Sequence, residues 1–61
     1  MNYTNIYNQL IESARGRQLA EYTENHHIIP KCLGGTDDVD NLIALTPEEH
    51  YLAHQFLVKI H

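Results

Sequence analysis

The 61 residues predict a small α+β domain in the order helix, strand, long loop, strand, helix. Three observations predict it. An apolar stripe at helical spacing occupies residues 3–14, two short β-forming runs flank a Gly-Gly loop, and Thr46-Pro47-Glu48-Glu49 opens a final amphipathic stretch. A chain this short makes one domain (1–61) and buries only about 60% of the surface its unfolded form exposes. Domains of this size usually carry a staple. Cys32 is the only cysteine, so a disulfide within the chain is excluded, and a lone unpaired cysteine fits a reducing compartment. Five histidines against that one cysteine point to a metal held by imidazole, whose binding energy becomes folding energy.

In the first element, Tyr3, Ile6, Tyr7, Leu10, Ile11 and Ala14 follow the i, i+3, i+4, i+7 pattern of an amphipathic helix, expected within residues 1–17. Thr4 or Asn5 is the expected cap, and Gly16 stands where a left-handed residue ends a helix. Arg15 and Arg17 suit the helix dipole there, and Tyr3 and Tyr7 read as core. From Leu19 the helical period fades. Tyr22, Thr23, His27, Ile28 and Ile29 include β-formers, and Pro30 stops the run, so a short strand ending near Ile29 is expected. The loop follows, with Gly34–Gly35 permitting backbone angles closed to other residues and Asp37, Asp38 and Asp40 reading as a solvated turn. Leu42-Ile43-Ala44-Leu45 is the second strand, expected to pair with the first. Thr46 as cap, Pro47 at the first position and Glu49 completing a capping box then predict a helix from Pro47 to about Ile60. Leu52, Ala53, Phe56, Leu57 and Ile60 give it a stripe to bury.

The formal charge of −4 is distributed unevenly. Residues 1–31 balance Arg15, Arg17 and Lys31 against Glu12, Glu21 and Glu24; the rest sets Lys59 against Asp37, Asp38, Asp40, Glu48 and Glu49. A nucleic-acid binder normally shows a basic face, so this chain alone is expected to bind DNA weakly. The first residues are polar, without a signal-peptide pattern, and no apolar run approaches the roughly 20 residues a membrane helix needs. The expectation is an intracellular, cytoplasmic protein with no membrane partner.

His50 and His54 are spaced one turn apart on the last helix, the arrangement by which one helix offers two imidazoles to one metal. Alone, such a pair also arises as a packed or solvated coincidence. His26 and His27 are adjacent near the end of the first strand, where neighbouring side chains point to opposite faces. One can turn toward the helix while the other is presented differently. His26 with His50 and His54 makes three nitrogen ligands and leaves a coordination position open, as catalytic rather than structural ions require; His27 is then free to act as a base.

The stretch Glu24-Asn25-His26-His27-Ile28-Ile29-Pro30, followed by Gly34-Gly35, Asn41-Leu42 and His50-x-x-x-His54, resembles the HNH endonucleases, also called His-Me finger or ββα-metal nucleases. The resemblance covers residues 22–57 and is nearest to the phage and homing-endonuclease type. It implies a β-hairpin with a long loop and a metal-binding C-terminal helix clasping one divalent ion, behind the N-terminal helix. It also implies His26 as ligand, His27 as general base, His50 as ligand, and Asn41 holding the loop and orienting the base, a position that ligates the metal in some members. His54 matches a further ligand found in some members. The implied activity is single-metal hydrolysis of DNA phosphodiester bonds, leaving 5′-phosphate and 3′-hydroxyl ends, in the host cytoplasm if phage-encoded. An imidazole with a pKa near about 6.5 is suited to deprotonate water near neutral pH.

Three imidazoles suit zinc or nickel by affinity, whereas magnesium or manganese supports turnover. Lys31 is a candidate phosphate contact, and Glu24 a hydrogen-bond partner for a ligating imidazole or an exposed strand residue. Cys32 reads as a small buried loop residue, or else as the fourth ligand of a closed zinc site. The alternative function is then a non-catalytic, zinc-stabilised binding module. The acidity and the lack of a sequence-reading segment lead to the expectation of a core cut from a longer protein, needing a further DNA-recognition segment.

Overall fold

The structure is a computed structural model, and it describes residues 1–18 and 21–61. Its elements are α1 (Tyr3–Ala14), β1 (Glu24–His27), β2 (Leu42–Leu45) and α2 (Pro47–Ile60), with single 3-10 turns at Lys31–Leu33 and Val39–Asn41 in the loop between the strands. This is the α+β, helix–hairpin–helix order the sequence predicts.

The cap of α1 is Asn2 rather than Thr4 or Asn5: its side chain accepts the backbone N–H of Asn5 at 3.0 Å, because Tyr3 and Thr4 are already helical. Beyond Ala14 the chain turns through Gly16 at φ +76°, the left-handed position expected there. The two arginines do more than face the helix end. Arg15 pairs with Glu12 at 3.1 Å, and Arg17 reaches across to α2, where its guanidinium grips both oxygens of Glu49. That carboxylate also accepts the backbone N–H of Thr46 at 2.9 Å, completing the expected capping box of α2.

The strands pair antiparallel, Glu24 opposite Leu45 through His27 opposite Leu42. The reading that began at Leu19 lies partly outside the described residues, since Leu19 and Ala20 are not among them. At its other end, β1 stops at His27, short of Ile29. Beyond Leu42 the partner chain coils into the 3-10 turn, so only the backbone N–H of Ile28 finds a backbone acceptor there, the carbonyl of Asn41 at 2.8 Å. Ile29 is held instead by the Asn41 side chain. The loop returns over this corner so closely that a Cβ on Gly35 would meet the carbonyl oxygen of Ile29 at 1.7 Å. Gly34 supplies the left-handed turn at φ +93°.

Two strands alone do not make a stable sheet. Here Ile43 and Leu45 of β2 are sealed by Tyr7, Ile11 and Ala14 of α1 and Ala53 of α2, with Leu10, Ile28, Phe56, Leu57 and Ile60 around them. Tyr3 sits half-buried at the edge, its ring 6.4 Å from that of Phe56. Leu52 departs from expectation. It stays 46% exposed, because α2 packs through the narrow stripe centred on Ala53 and Leu52 falls at its margin. Among the described residues, no helix is long and apolar enough to cross a membrane.

Candidate metal and catalytic centre

Strand alternation separates the two adjacent histidines. His26 turns inward, opposite Ile43, and is 2% exposed; His27 is half-buried and turns to the loop. The capping box fixes the start of α2, and one turn on, His50 and His54 present their rings to His26. Each of the three offers a nitrogen within 4.8 Å of the other two. The Nε2 atoms of His50 and His54 are 3.2 Å apart. Two imidazole nitrogens on a tetrahedral zinc ion lie about 3.3 Å apart, so this donor set fits one divalent cation with small adjustments.

Hydrogen bonds assign the protons. His50 Nδ1 lies 2.7 Å from Glu24 Oε1. An ionised carboxylate only accepts, so Nδ1 carries the proton and Nε2 keeps its lone pair toward His54. The His50 contact, with help from the Tyr22 hydroxyl, holds the Glu24 carboxyl below its ordinary range. His26 is pushed down to about 4 by burial and by the neighbouring His50 and His54, so it is a neutral imidazole at neutral pH, as a ligand must be. Its Nε2 lies 2.7 Å from the hydroxyl of Tyr7.

His27 belongs to a different set of partners. Its Nε2 meets Asp37 Oδ1 at 2.7 Å, and Lys31 Nζ meets the other oxygen at 3.2 Å. These two contacts, His27 first, lower the Asp37 pKa. Asp37 is therefore not simply part of a solvated turn, and Lys31, the candidate phosphate contact, is shared with it at the exposed surface. Asn41 staples the loop: Oδ1 accepts from Ile29 N–H at 2.8 Å, and Nδ2 donates to the carbonyls of Ile29 at 3.1 Å and Thr36 at 2.8 Å. With both ends of its amide so engaged, Asn41 lies outside the imidazole cluster. Cys32 is exposed rather than buried, and it too lies outside the cluster. Beside the three imidazoles, between the Lys31–Leu33 turn and α2, runs an open groove of about 650 Å³ with largely apolar walls that include Pro30, Leu33 and Leu57.

Two participants escaped the reading of the sequence. Tyr7 stood in the apolar stripe, and only the general need of a buried phenol for a partner hinted at more. Asp37 stood in an acidic cluster with no sign of which carboxylate would reach His27.

A family model described as HNH endonuclease matches residues 12–55. The chain belongs to the HNH endonuclease family. Members of this family use a divalent metal ion and act on DNA. Over the whole chain the sequence is 59% identical to "Probable mobile endonuclease B" and 56% identical to "Probable mobile endonuclease E", both of Enterobacteria phage T4. It covers 25% and 44% of those two proteins. A third relative, "Uncharacterized 38.5 kDa protein in psbA intron 1" of Chlamydomonas moewusii, is 45% identical over 82% of the chain, which covers 15% of that protein. The chain thus spans less than half the length of these relatives. No solved structure matches.

Proposed function

We propose that this chain is the catalytic core of a mobile DNA endonuclease that hydrolyses phosphodiester bonds by a single-metal mechanism. One observation carries the reading: three imidazoles converge within 4.8 Å of one another, and His27, outside that set and paired with Asp37, lines the same groove beside them. His26, His50 and His54 are the metal-holding residues in this reading, and His27 is the general base. When bound, a divalent cation supplies Lewis acidity to a phosphate oxygen and to the departing 3′ oxygen. Three neutral ligands leave the full double charge to the substrate.

His27 accepts the proton of the attacking water. Asp37, as an ionised carboxylate, takes the Nε2–H of His27, which leaves the Nδ1 lone pair as the accepting atom. Asn41 keeps the loop, and with it Asp37, at a fixed distance from the strand. Lys31 sits at the mouth of the groove as a phosphate contact when DNA displaces it from Asp37. The products carry 5′-phosphate and 3′-hydroxyl ends. Net charge −4 gives this core weak affinity for DNA, so sequence recognition belongs to a further segment, in keeping with the greater length of the relatives. In this reading the activity belongs to the host cytoplasm if the protein is phage-encoded, which the phage origin of those relatives supports.

The test is plasmid nicking with zinc, nickel, manganese or magnesium, comparing the chain with His27→Ala and titrating metal in parallel. Nicking that falls while metal binding persists supports the reading. Unchanged nicking by His27→Ala would remove the base from it, and tight metal binding without cleavage of any nucleic acid would favour a zinc-stabilised binding module.

A further inference from the structure

We propose that Tyr7 of α1 is a positioning residue of the metal centre, its hydroxyl holding His26 as the tautomer that presents Nδ1 to the ion. The inference rests on the reading of His26 as a metal ligand, and it adds the N-terminal helix to the site. Tyr7 lies ahead of residues 12–55, the part of the chain the family model matches.

The argument is one of proton counting. The Tyr7 hydroxyl has two partners, the carbonyl oxygen of Ile28 and Nε2 of His26, each at 2.7 Å. It has one proton to give. A carbonyl only accepts, so the phenol donates to Ile28 and meets His26 by accepting. Nε2 of His26 therefore carries the hydrogen, and the neutral ring keeps its lone pair on Nδ1. At 5% and 2% exposure, Tyr7 and His26 leave no room for water to take either role.

The opposite tautomer would set an unprotonated Nε2 against a hydroxyl already committed to Ile28, with no hydrogen between them. A ligating imidazole is commonly oriented by whatever its other nitrogen binds. For His50 that partner is Glu24; for His26 it is Tyr7. The same hydroxyl bridges the His26 side chain and the Ile28 carbonyl, on either side of His27 in the chain. Tyr3, one turn earlier on α1, makes no such contact among the described residues and packs near Phe56.

The test has two arms. In the first, the 15N-histidine-labelled chain is examined by NMR, metal-free and loaded with 113Cd²⁺. The expected result is His26 protonated at Nε2 without metal and coupled to cadmium through Nδ1. A proton on Nδ1, or coupling through Nε2, would overturn the inference, and this arm needs no variant to fold. In the second, Zn²⁺ affinity is measured by titration calorimetry for the wild type, Tyr7→Phe, Tyr3→Phe and His26→Ala. Loss of the Tyr7 hydroxyl is expected to weaken zinc binding about tenfold to a hundredfold. Tyr3→Phe should stay close to wild type. Equal affinity of wild type and Tyr7→Phe would sink the positioning role while leaving the metal site intact. Zinc binding that survives His26→Ala would instead remove the metal-site reading, and this inference with it.

Discussion

His26 and His27 are neighbours in the chain and opposites in how they are held. His26 is sealed between α1, β2 and α2, its hydrogen bond satisfied by a buried phenol. His27 faces the loop, where it meets a 69%-exposed carboxylate that a lysine also engages, in reach of water. The difference suits two kinds of work. A ligand gains from a dry, rigid setting that keeps it neutral and fixed, whereas a base must meet its water and pass its proton on. In the proposed reading one strand step delivers both, because alternation gives neighbouring side chains different surroundings.

The sharpest way to break the comparison is to truncate each ring in turn. His26→Ala should lose metal binding and about 2–4 kcal/mol of stability, through a cavity and a polar partner left short. His27→Ala should change stability by no more than about 0.5 kcal/mol. Its cost appears as a cleavage loss of about 10²–10⁴-fold with metal affinity retained. Urea unfolding and metal titration of the two variants measure the split; matching losses of stability would erase it.

Mild acid probes the buried side first. The folded state holds His26 near 4, against 6.5 for the exposed group, so between those values the unfolded chain binds more protons than the native one. The stability this ring contributes is fully present above 6.5 and is lost as pH falls toward 4, by about 3 kcal/mol at about 1.4 kcal/mol per pH unit. Glu49, held to about 2 chiefly by Arg17, keeps its contribution until lower pH, so the two windows separate. Urea midpoints of the metal-free chain across this range should slope in the wild type and flatten in His26→Ala.

On the loop side the effects are smaller. Asn41→Ala removes three hydrogen bonds from the corner and should cost about 1–3 kcal/mol, with a loss of cleavage from a base no longer held in place. Asp37→Asn should leave the unfolding midpoint unmoved while slowing cleavage, since an exposed pair adds little to stability. A midpoint that dropped as far as in Asn41→Ala would make Asp37 a structural residue instead.

Both helices, the second strand and the capping box were legible because each rests on local chemistry: a 3.6-residue stripe, a β-forming run, a Thr-Pro-x-Glu start. The three-histidine cluster was legible for a related reason, helical spacing on one side and strand alternation on the other. The end of β1 was not, because it depends on the Val39–Asn41 turn coiling away from the partner strand. Nor was the exposure of Leu52, which follows from its place at the margin of the stripe by which α2 meets the core. The partners of Tyr7, Asp37 and Arg17 lie 19, 10 and 32 residues away in the chain. Such pairings follow from the assembled fold, and composition carries no trace of them.

Glu49 answers two groups at very different distances along the chain, Thr46 three residues away and Arg17 thirty-two away. Local contacts close cheaply and remote ones late, so the two halves of this carboxylate's bonding are expected to form at different times. The expected order is that it starts α2 first, with Arg17 closing afterwards as a latch, one residue from His50. Arg17→Met should therefore quicken unfolding and leave the refolding rate nearly unchanged in stopped-flow measurements; slowed refolding would place the latch ahead of the helix. The lifetime of the native state, and not its speed of formation, is then what the second half of this bond governs.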